Sequence, residues 1–301
     1  MSKNGQWYPP EWPDRIRALS RGELTPVTPR RAATVMLLRD PPPPASGHAA
    51  PAPAEPAGPD VYLLRRRTTM AFAAGAYAYP GGAVDVRDEA EVQWAGPSRA
   101  QWAERLGVDA ARAQATVCAA VRETFEESGV LLAGRDPQTV VEDVTGDDWE
   151  ADRGALVSRE LSFADFLAAR GLVLRSDLLG AWARWITPEF EERRYDTWFF
   201  TAALPAGQRT RNASTEADRT LWTSPADAVA GYDRGELLMM PPTVTTLREL
   251  AAARLSSASD ATAVAAGRDL TPVLARARLD GGEIVLSWPG HEEFEKRIYA
   301  V

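Results

Sequence analysis

Glu123, Glu126 and Glu127 place three carboxylates within five residues, and Arg122 stands directly before them. Read as a helix, the run Arg122-Glu123-Thr124-Phe125-Glu126-Glu127-Ser128-Gly129-Val130 puts the glutamates at i, i+3 and i+4, on one face. Val117, Val121, Phe125 and Ser128 recur at three- and four-residue spacing and form a core face. Gly129 is a stop signal, because glycine accepts the left-handed conformation of a helix C-cap. Like charges at this spacing repel by about 0.2–0.5 kcal/mol per pair. Carboxylates at a helix C-terminus also oppose the dipole, at roughly 0.3–1 kcal/mol each. Arg122, four residues before Glu126, offsets one charge. Two readings remain open for the rest: a solvated acidic helix end, or oxygen ligands for a divalent cation.

The elements that must position these groups follow from pattern. Residues 1–31 are rich in Pro, Arg and Trp and form an irregular arm with a short helix from Asp14 to Ser20. The apolar run 32–39 is a buried strand, and 61–67 is its partner, ending in Arg65, Arg66 and Arg67. Between them, 41–59 is dominated by Pro and Ala and reads as a disordered loop. Pro80-Gly81-Gly82 is a turn whose glycines let the backbone bend or approach a ligand closely. A helix at 98–106 ends at Gly107, and the carboxylate helix runs from about 111 to 128. Helices follow at 149–160 and 163–170, the second with Ser162 as N-cap and Gly171 as C-cap. Strands are expected at 178–186 and 196–204, and the stretch 215–223 carries Glu216, Asp218 and Trp222. Ser224-Pro225 opens a helix to about 233, and another runs from about 239 to 255. The chain closes with a short helix and two strands, 275–279 and 283–288.

Composition narrows the classes. Hydrophobic residues are 45% and charged residues 25%, as in globular proteins. No apolar run is long enough to span a bilayer, and Met1–Trp7 lacks the pattern of a signal peptide. A net charge of −8 argues against non-specific nucleic-acid binding. Two histidines, His48 and His291, make a histidine-rich zinc site implausible. The single cysteine, Cys118, rules out an internal disulfide and reads as a buried thiol. The expectation is a cytoplasmic protein with no membrane or nucleic-acid partner.

Gly82 together with the 122–130 run resembles the Nudix hydrolase signature, G-x5-E-x7-R-E-U-x-E-E-x-G-U, where U is bulky and apolar. Every charged and glycine position of the second half matches, with Thr124 at the first U. The position of the first Glu is held by Asp88. Gly82 and Arg122 have 39 residues between them where the pattern has 13, an insertion of about 26. A long insertion in the box also marks a subgroup similar to the mammalian peroxisomal coenzyme A diphosphatases, with Pro-Gly-Gly-x-x-Asp before it and Arg-Glu-Thr-Phe-Glu-Glu-Ser-Gly after it. Arg194-Tyr195-Asp196-Thr197 with Phe199-Phe200, and Glu216 leading to Trp222 and Pro225, look similar too. In a second coenzyme A diphosphatase group an arginine and a histidine precede Pro-Gly-Gly; Met70, Ala71, Ala73 and Gly75 stand in that register here. The C-terminal Tyr299-Ala300-Val301 is no peroxisomal address.

The resemblance implies an α/β fold: a Nudix-type mixed β-sheet sandwiched between helices, with an insertion in the box and a C-terminal β extension. The organisation expected is an N-terminal arm (1–31), a hydrolase domain (32–255, with the insertion at about 89–115) and a C-terminal extension (256–301) packed on the same domain. It implies cleavage of a diphosphate linkage in a nucleoside diphosphate derivative, with coenzyme A or acyl-coenzyme A among the substrates. The cofactor would be Mg2+ or Mn2+, held by Glu123, Glu126, Glu127 and the Gly82 carbonyl. Arg122 would orient a carboxylate, and the general base would be a helix glutamate or Glu216 on a later loop, with Glu189, Glu191 and Glu192 as weaker choices. Glu216 reads equally well as an exposed loop carboxylate. Phosphate contacts are expected from Arg66, Arg67 and Arg194, or from Arg65 or Arg193. Trp185 or Trp198 could stack on a nucleobase, though their strand spacing suits a core. The alternative function is a binding or regulatory module of the same fold without turnover. A homodimer is left open.

Overall fold

The computed structural model describes residues 9–42, 58–69, 73–212, 216–280 and 283–298. Most of the Pro/Ala-rich stretch, Met70 and Ala71, Gly281 and Gly282 and the last three residues fall outside these ranges. The chain divides into a larger unit, Ala32–Ala183 with Trp198–Leu270, and a smaller one, Met1–Arg31 with Arg184–Thr197 and Thr271–Val301.

The larger unit is built on a mixed sheet. Its first strand, Arg30–Arg39, carries Val35, Met36, Leu37 and Leu38, all fully buried. A run apolar on both faces is what a strand covered on both sides requires. Strand order across the sheet is Ala217–Thr223, Asp60–Arg66, Arg30–Arg39, Tyr195–Ala203, Gly180–Ile186. The strand Gly81–Ala83 pairs antiparallel beside the first, with Thr34 opposite Gly81 and Ala33 opposite Gly82. That register carries the glycine turn to the carboxylate helix.

The carboxylate helix spans Ala110–Ser128, with Asp109 accepting from the Arg112 N–H as N-cap and Gly129 left-handed at φ 71°. Val117, Val121 and Phe125 are fully buried in one cluster with Val35, Leu37, Leu64 and Phe200 of the sheet. The amphipathic reading is incomplete, however. Thr116 and Thr124 are also fully buried, so both faces of the helix are covered. Phe163–Arg170 covers part of it: Phe166 stacks on Phe125 with ring centroids 5.3 Å apart and on Phe163 at 5.9 Å. Leu38 lies with Pro225 and Leu250 of the helices Pro225–Asp233 and Pro241–Ala252, which cover the opposite face of the sheet.

The box insertion folds back on the carboxylate helix. It follows the 3-10 turn Val86–Glu89 and contains the strand Trp94–Ala95 and the helix Arg99–Leu106, capped by Ser98 and Gly107. Trp102 and Leu106 enter the core, and Gln114 donates to the Glu89 and Ala90 carbonyls at 3.1 and 2.7 Å. Trp94–Ala95 also joins Val173–Arg175 and Ala133–Gly134 in a small sheet that residue pattern does not reveal.

In the smaller unit the helix Trp12–Ser20 packs Trp12 edge-on against Phe190, with centroids 5.2 Å apart. Val273–Leu274 runs parallel beside Trp185–Ile186. Two strands were expected near the C-terminus. A separate three-stranded sheet is found, Arg276–Asp280, Glu283–Ser287 and Lys296–Ile298, with Ile284, Val285, Leu286 and Ile298 buried.

The aromatic stack behind the carboxylate helix gives a direct test of this packing. Phe166→Ala should cost about 3–5 kcal/mol, read as a lower urea midpoint at unchanged m-value.

Candidate active site

Arg122 is the centre of the site. It is almost fully buried, and its guanidinium is divided among four partners. Nε and Nη2 donate to the two carboxylate oxygens of Asp88, at 2.9 and 3.0 Å. Nη1 donates to Glu123 Oε1 at 2.8 Å and Glu126 Oε1 at 3.1 Å, and Nη2 also reaches the Ala83 carbonyl at 3.1 Å. Burial opposes the arginine's charge, but the Asp88 hydrogen bonds and the surrounding carboxylates raise its pKa above the ordinary value. The fork matches the planar Asp88 carboxylate bidentately, as a lysine could not.

Asp88 reaches Arg122 because the 3-10 turn brings it there. Asp85 caps that turn, and Asp88 accepts the Asp85 N–H at 2.8 Å in a reciprocal capping box. The shorter carboxylate at the first Glu position therefore has a defined place as the main partner of Arg122. Arg87 grips Asp85 through two hydrogen bonds to the side chain, which hold the Asp85 pKa down at about 2. The spacing Asp85-x-x-Asp88 is a capping pattern that residue order alone could have revealed.

Neighbouring glutamates on a helix point about 100° apart, and here they serve different sides. Glu126 turns to Arg122; Glu127 accepts the Gly81 N–H at 2.8 Å. Gly82 lies against Glu123 so closely that a Cβ on it would sit 2.5 Å from Glu123 Oε1. A Cβ on Gly81 would instead meet the Ala33 carbonyl at 2.5 Å and Thr34 Cα at 2.6 Å. The first glycine is thus needed by the sheet and the second by the carboxylate.

Burial dominates the ionisation of the cluster. Desolvation, with Glu126 adding to it and Arg122 opposing it, raises Glu123 to about 7. Desolvation and the charge of Glu123 raise Glu127 to about 8. Glu126 is raised as well, mainly by burial. Three carboxylates, Asp88, Glu123 and Glu126, share one arginine, and Glu127 lies on the far side, so the deprotonated cluster lacks positive charge. Among the described residues no three acidic, histidine or cysteine side chains already converge as a cage. The donor set nevertheless fits a hard divalent cation: it is all oxygen, rigidly mounted and short of positive charge. Glu123, Glu126, Glu127 and the Gly82 carbonyl are the groups that would hold it.

Arg66 and Glu216 stand on the Glu127 flank. Arg66 Nη2 lies 3.7 Å from Glu216 Oε2, the Arg67 N–H donates to the Glu216 carbonyl at 2.8 Å, and both Glu216 and Arg66 act electrostatically on Glu127. Arg67 is exposed, and Arg65 is paired with Asp218 at 2.7 Å. Arg194 belongs to the smaller unit and is spent on the fold: it is buried and donates to the Val27 and Thr187 carbonyls. Those bonds use two of its five N–H donors. In the same unit Glu191 accepts from Trp12, and Glu192 pairs with Arg15. Trp185 and Trp198 are 5% and 1% exposed, so both are core residues without a face for a nucleobase. Cys118 is buried, and burial pushes its thiol pKa up, away from nucleophilic use.

Residue order gave no sign of the cations that cap the carboxylate helix. Arg153 Nη1 donates to the Glu126 carbonyl. Arg211 packs against Gly129, its backbone N–H donates to the Ser128 carbonyl, and Glu150 pairs with both arginines. They come from 24 and 82 residues beyond Gly129, so no local spacing marks them.

The profile of the NUDT19 Nudix domain matches residues 101–250. Over those residues, 150 of 301, the chain matches the Nudix family. The acyl-coenzyme A diphosphatase NUDT19 of Gallus gallus is 26% identical over 71% of this chain and 65% of its own length. Its Xenopus laevis counterpart is 26% identical over 64% of this chain and 59% of its own. The chain thus spans less than two thirds of these two relatives. A crystal structure of a Nudix hydrolase from Alicyclobacillus acidocaldarius superposes with a TM-score of 0.61 at 27% identity, covering 79% of this chain and 96% of that one. The mixed sheet between helices is therefore a Nudix fold.

Three outcomes follow for this site. Glu123 and Glu127 must lose protons to bind a cation, and their raised pKa values keep protons on them below about pH 7–8. Mg2+ or Mn2+ affinity should therefore weaken as pH falls from 8 to 6, with protons released on binding, in calorimetry run in buffers of different ionisation enthalpy. Conversely, the cation-free protein should lose stability as pH rises from about 4.5 through 8, because the unfolded glutamates ionise first. The two glycines should also separate. Gly82→Ala displaces a flexible carboxylate and should weaken cation binding about tenfold with little change in Tm. Gly81→Ala meets backbone and should lower Tm clearly.

Proposed function

We propose that this chain hydrolyses the diphosphate linkage of a nucleoside diphosphate derivative by water attack at phosphorus, using Mg2+ or Mn2+. The observation that carries the proposal is the buried carboxylate cluster clasped by Arg122 against Gly81-Gly82. Coenzyme A and acyl-coenzyme A are the first substrates to try, on the strength of the similarity to acyl-coenzyme A diphosphatases. Attack at the diphosphate would add hydroxyl to one phosphorus and leave the bridging oxygen on the other. From coenzyme A the products would be phosphopantetheine and an adenosine bisphosphate.

A bound divalent cation would neutralise the diphosphate and polarise its oxygens. Glu123, Glu126 and Glu127 hold that position on a rigid helix, and Arg122 is a positioning residue that fixes Glu123 and Glu126. The general base would be a helix glutamate, Glu123 or Glu126, or else Glu216 at the Arg66 flank. Arg66 ends its strand, Arg67 follows it beside Glu216, and these two are the phosphate contacts favoured here.

The test is a panel of diphosphates, including coenzyme A, an acyl-coenzyme A, a dinucleotide and a nucleotide sugar, with Mg2+ or Mn2+ and with chelator. Turnover should require the cation. Glu126→Gln should lower kcat at least about a hundredfold while the protein stays folded. An unchanged rate would remove Glu126 from the site. Tight binding of one compound with no turnover of any would identify a binding module instead.

A further inference from the structure

The helix Asp147–Val157 ends in a way that its neighbours do not. Gly107, Gly129 and Gly171 take the left-handed position after the helices that precede them, at φ 67°, 71° and 60°. After Asp147–Val157 the same position is filled by Arg159, at φ 63°. The Glu160 N–H donates to the Ala155 carbonyl and the Arg159 N–H to the Leu156 carbonyl, the bond pair of a Schellman motif. Glycine satisfies that motif without the strain a Cβ introduces. An arginine there is thus a departure from what the helix end alone would select.

Its surroundings connect it to the carboxylate cluster. Arg87 Nη1 donates to the Arg159 carbonyl at 2.9 Å, and the same guanidinium grips Asp85, three residues beyond Gly82. The backbone of Arg159 is thereby tied to the glycine turn. Its side chain is exposed and forms no hydrogen bond or ion pair among the described residues. Its guanidinium is nevertheless close enough to Glu126 to act on that carboxylate electrostatically. A cation of this kind, fixed at its backbone beside the Asp85 turn and without a salt bridge among the described residues, has its hydrogen-bond donors available to an anion. Arg66 occupies the corresponding situation on the Glu127 flank, but there Glu216 already faces it.

We propose that Arg159 is a substrate-binding residue, which grips a phosphate group of the diphosphate on the Glu126 flank of the cluster. The inference rests on the diphosphate reading of the site given above. The planar fork of arginine can take two phosphate oxygens at once. The left-handed backbone, pinned by Arg87, spares the side chain the cost of ordering a loose loop when the anion arrives.

The decisive variant is Arg159→Gly, because glycine adopts this backbone freely and keeps the helix end intact. The probe is adenosine 5′-(α,β-methylene)diphosphate with Mg2+, whose bridge cannot be hydrolysed, titrated calorimetrically into the full chain. The wild type should bind it. Arg159→Gly should bind about tenfold or more weakly at an equal or higher Tm, and Arg159→Lys should fall between the two. In hydrolysis the loss should appear in KM more than in kcat. Equal binding by wild type and Arg159→Gly, or no binding by the wild type, would overturn the assignment. So would a lowered Tm with the same loss in the lysine variant, since that marks a structural role. Binding by the wild type without hydrolysis of any diphosphate would remove the hydrolase and leave Arg159 as a phosphate contact. Hydrolysis at unchanged KM in Arg159→Gly would do the reverse.

Discussion

One guanidinium makes the site possible. Four carboxylates gathered in a desolvated space would repel one another and hold their protons unless a positive charge stood among them. Arg122 answers part of that with donors spread over Asp88, Glu123, Glu126 and the Ala83 carbonyl. Each bond also fixes an element. Asp88 brings the 3-10 turn, Ala83 the glycine strand, and the glutamates the helix itself. Arg122 is therefore both the counter-charge and the joint at which three segments meet. Compensation is deliberately partial: four acids against one base leave the deficit that a divalent cation can fill.

The same balance recurs at the helix C-terminus. The carboxylates sit where the dipole is unfavourable to them, and the carbonyls there need donors. Arg153 reaches the Glu126 carbonyl, and Arg211 lies under Gly129, with Glu150 between the two arginines. Positive charge thus approaches the helix end from behind, along the backbone, and leaves the glutamate side chains facing the glycine turn. A lysine or arginine within the last turn of the helix would have offered the same stabilisation but would have competed for the carboxylates themselves.

Much of this could be read from residues. The carboxylate spacing, the Gly129 stop, the caps at Ser162 and Ser224 and the apolar runs of the sheet are local signals, and the structure has each of them. What escaped is non-local or too short to show a period. The strands Trp94–Ala95 and Ala133–Gly134 are two residues long and exist only because Val173–Arg175 lies between them. Full burial of Thr116 and Thr124 depends on elements that arrive later in the chain, so a two-faced helix pattern understated how enclosed the helix is. Arginines were the hardest to place. Arg66, Arg153, Arg159, Arg194 and Arg211 look alike in sequence, yet one flanks the cluster, two cap a helix, one is spent on carbonyls and one stands in a glycine's position. Only their partners distinguish them.

The pairing of Gly81-Gly82 with Thr34 and Ala33 has a wider consequence. The two halves of the motif are joined by sheet register and by Arg122, so the chain between them need only close a loop. The entropy of closure grows slowly with length, whereas a slip of one residue in the register would turn every side chain of that strand over. The motif is in effect a spatial object whose sequence spacing is almost free. A search that demands contiguous spacing would pass over it, and a designer could exchange the surface of the intervening segment while keeping Asp88 and the buried Trp102 and Leu106. Natural variation in this family can accordingly be expected to place its novelty in that gap, where new surface can be added without disturbing the chemistry.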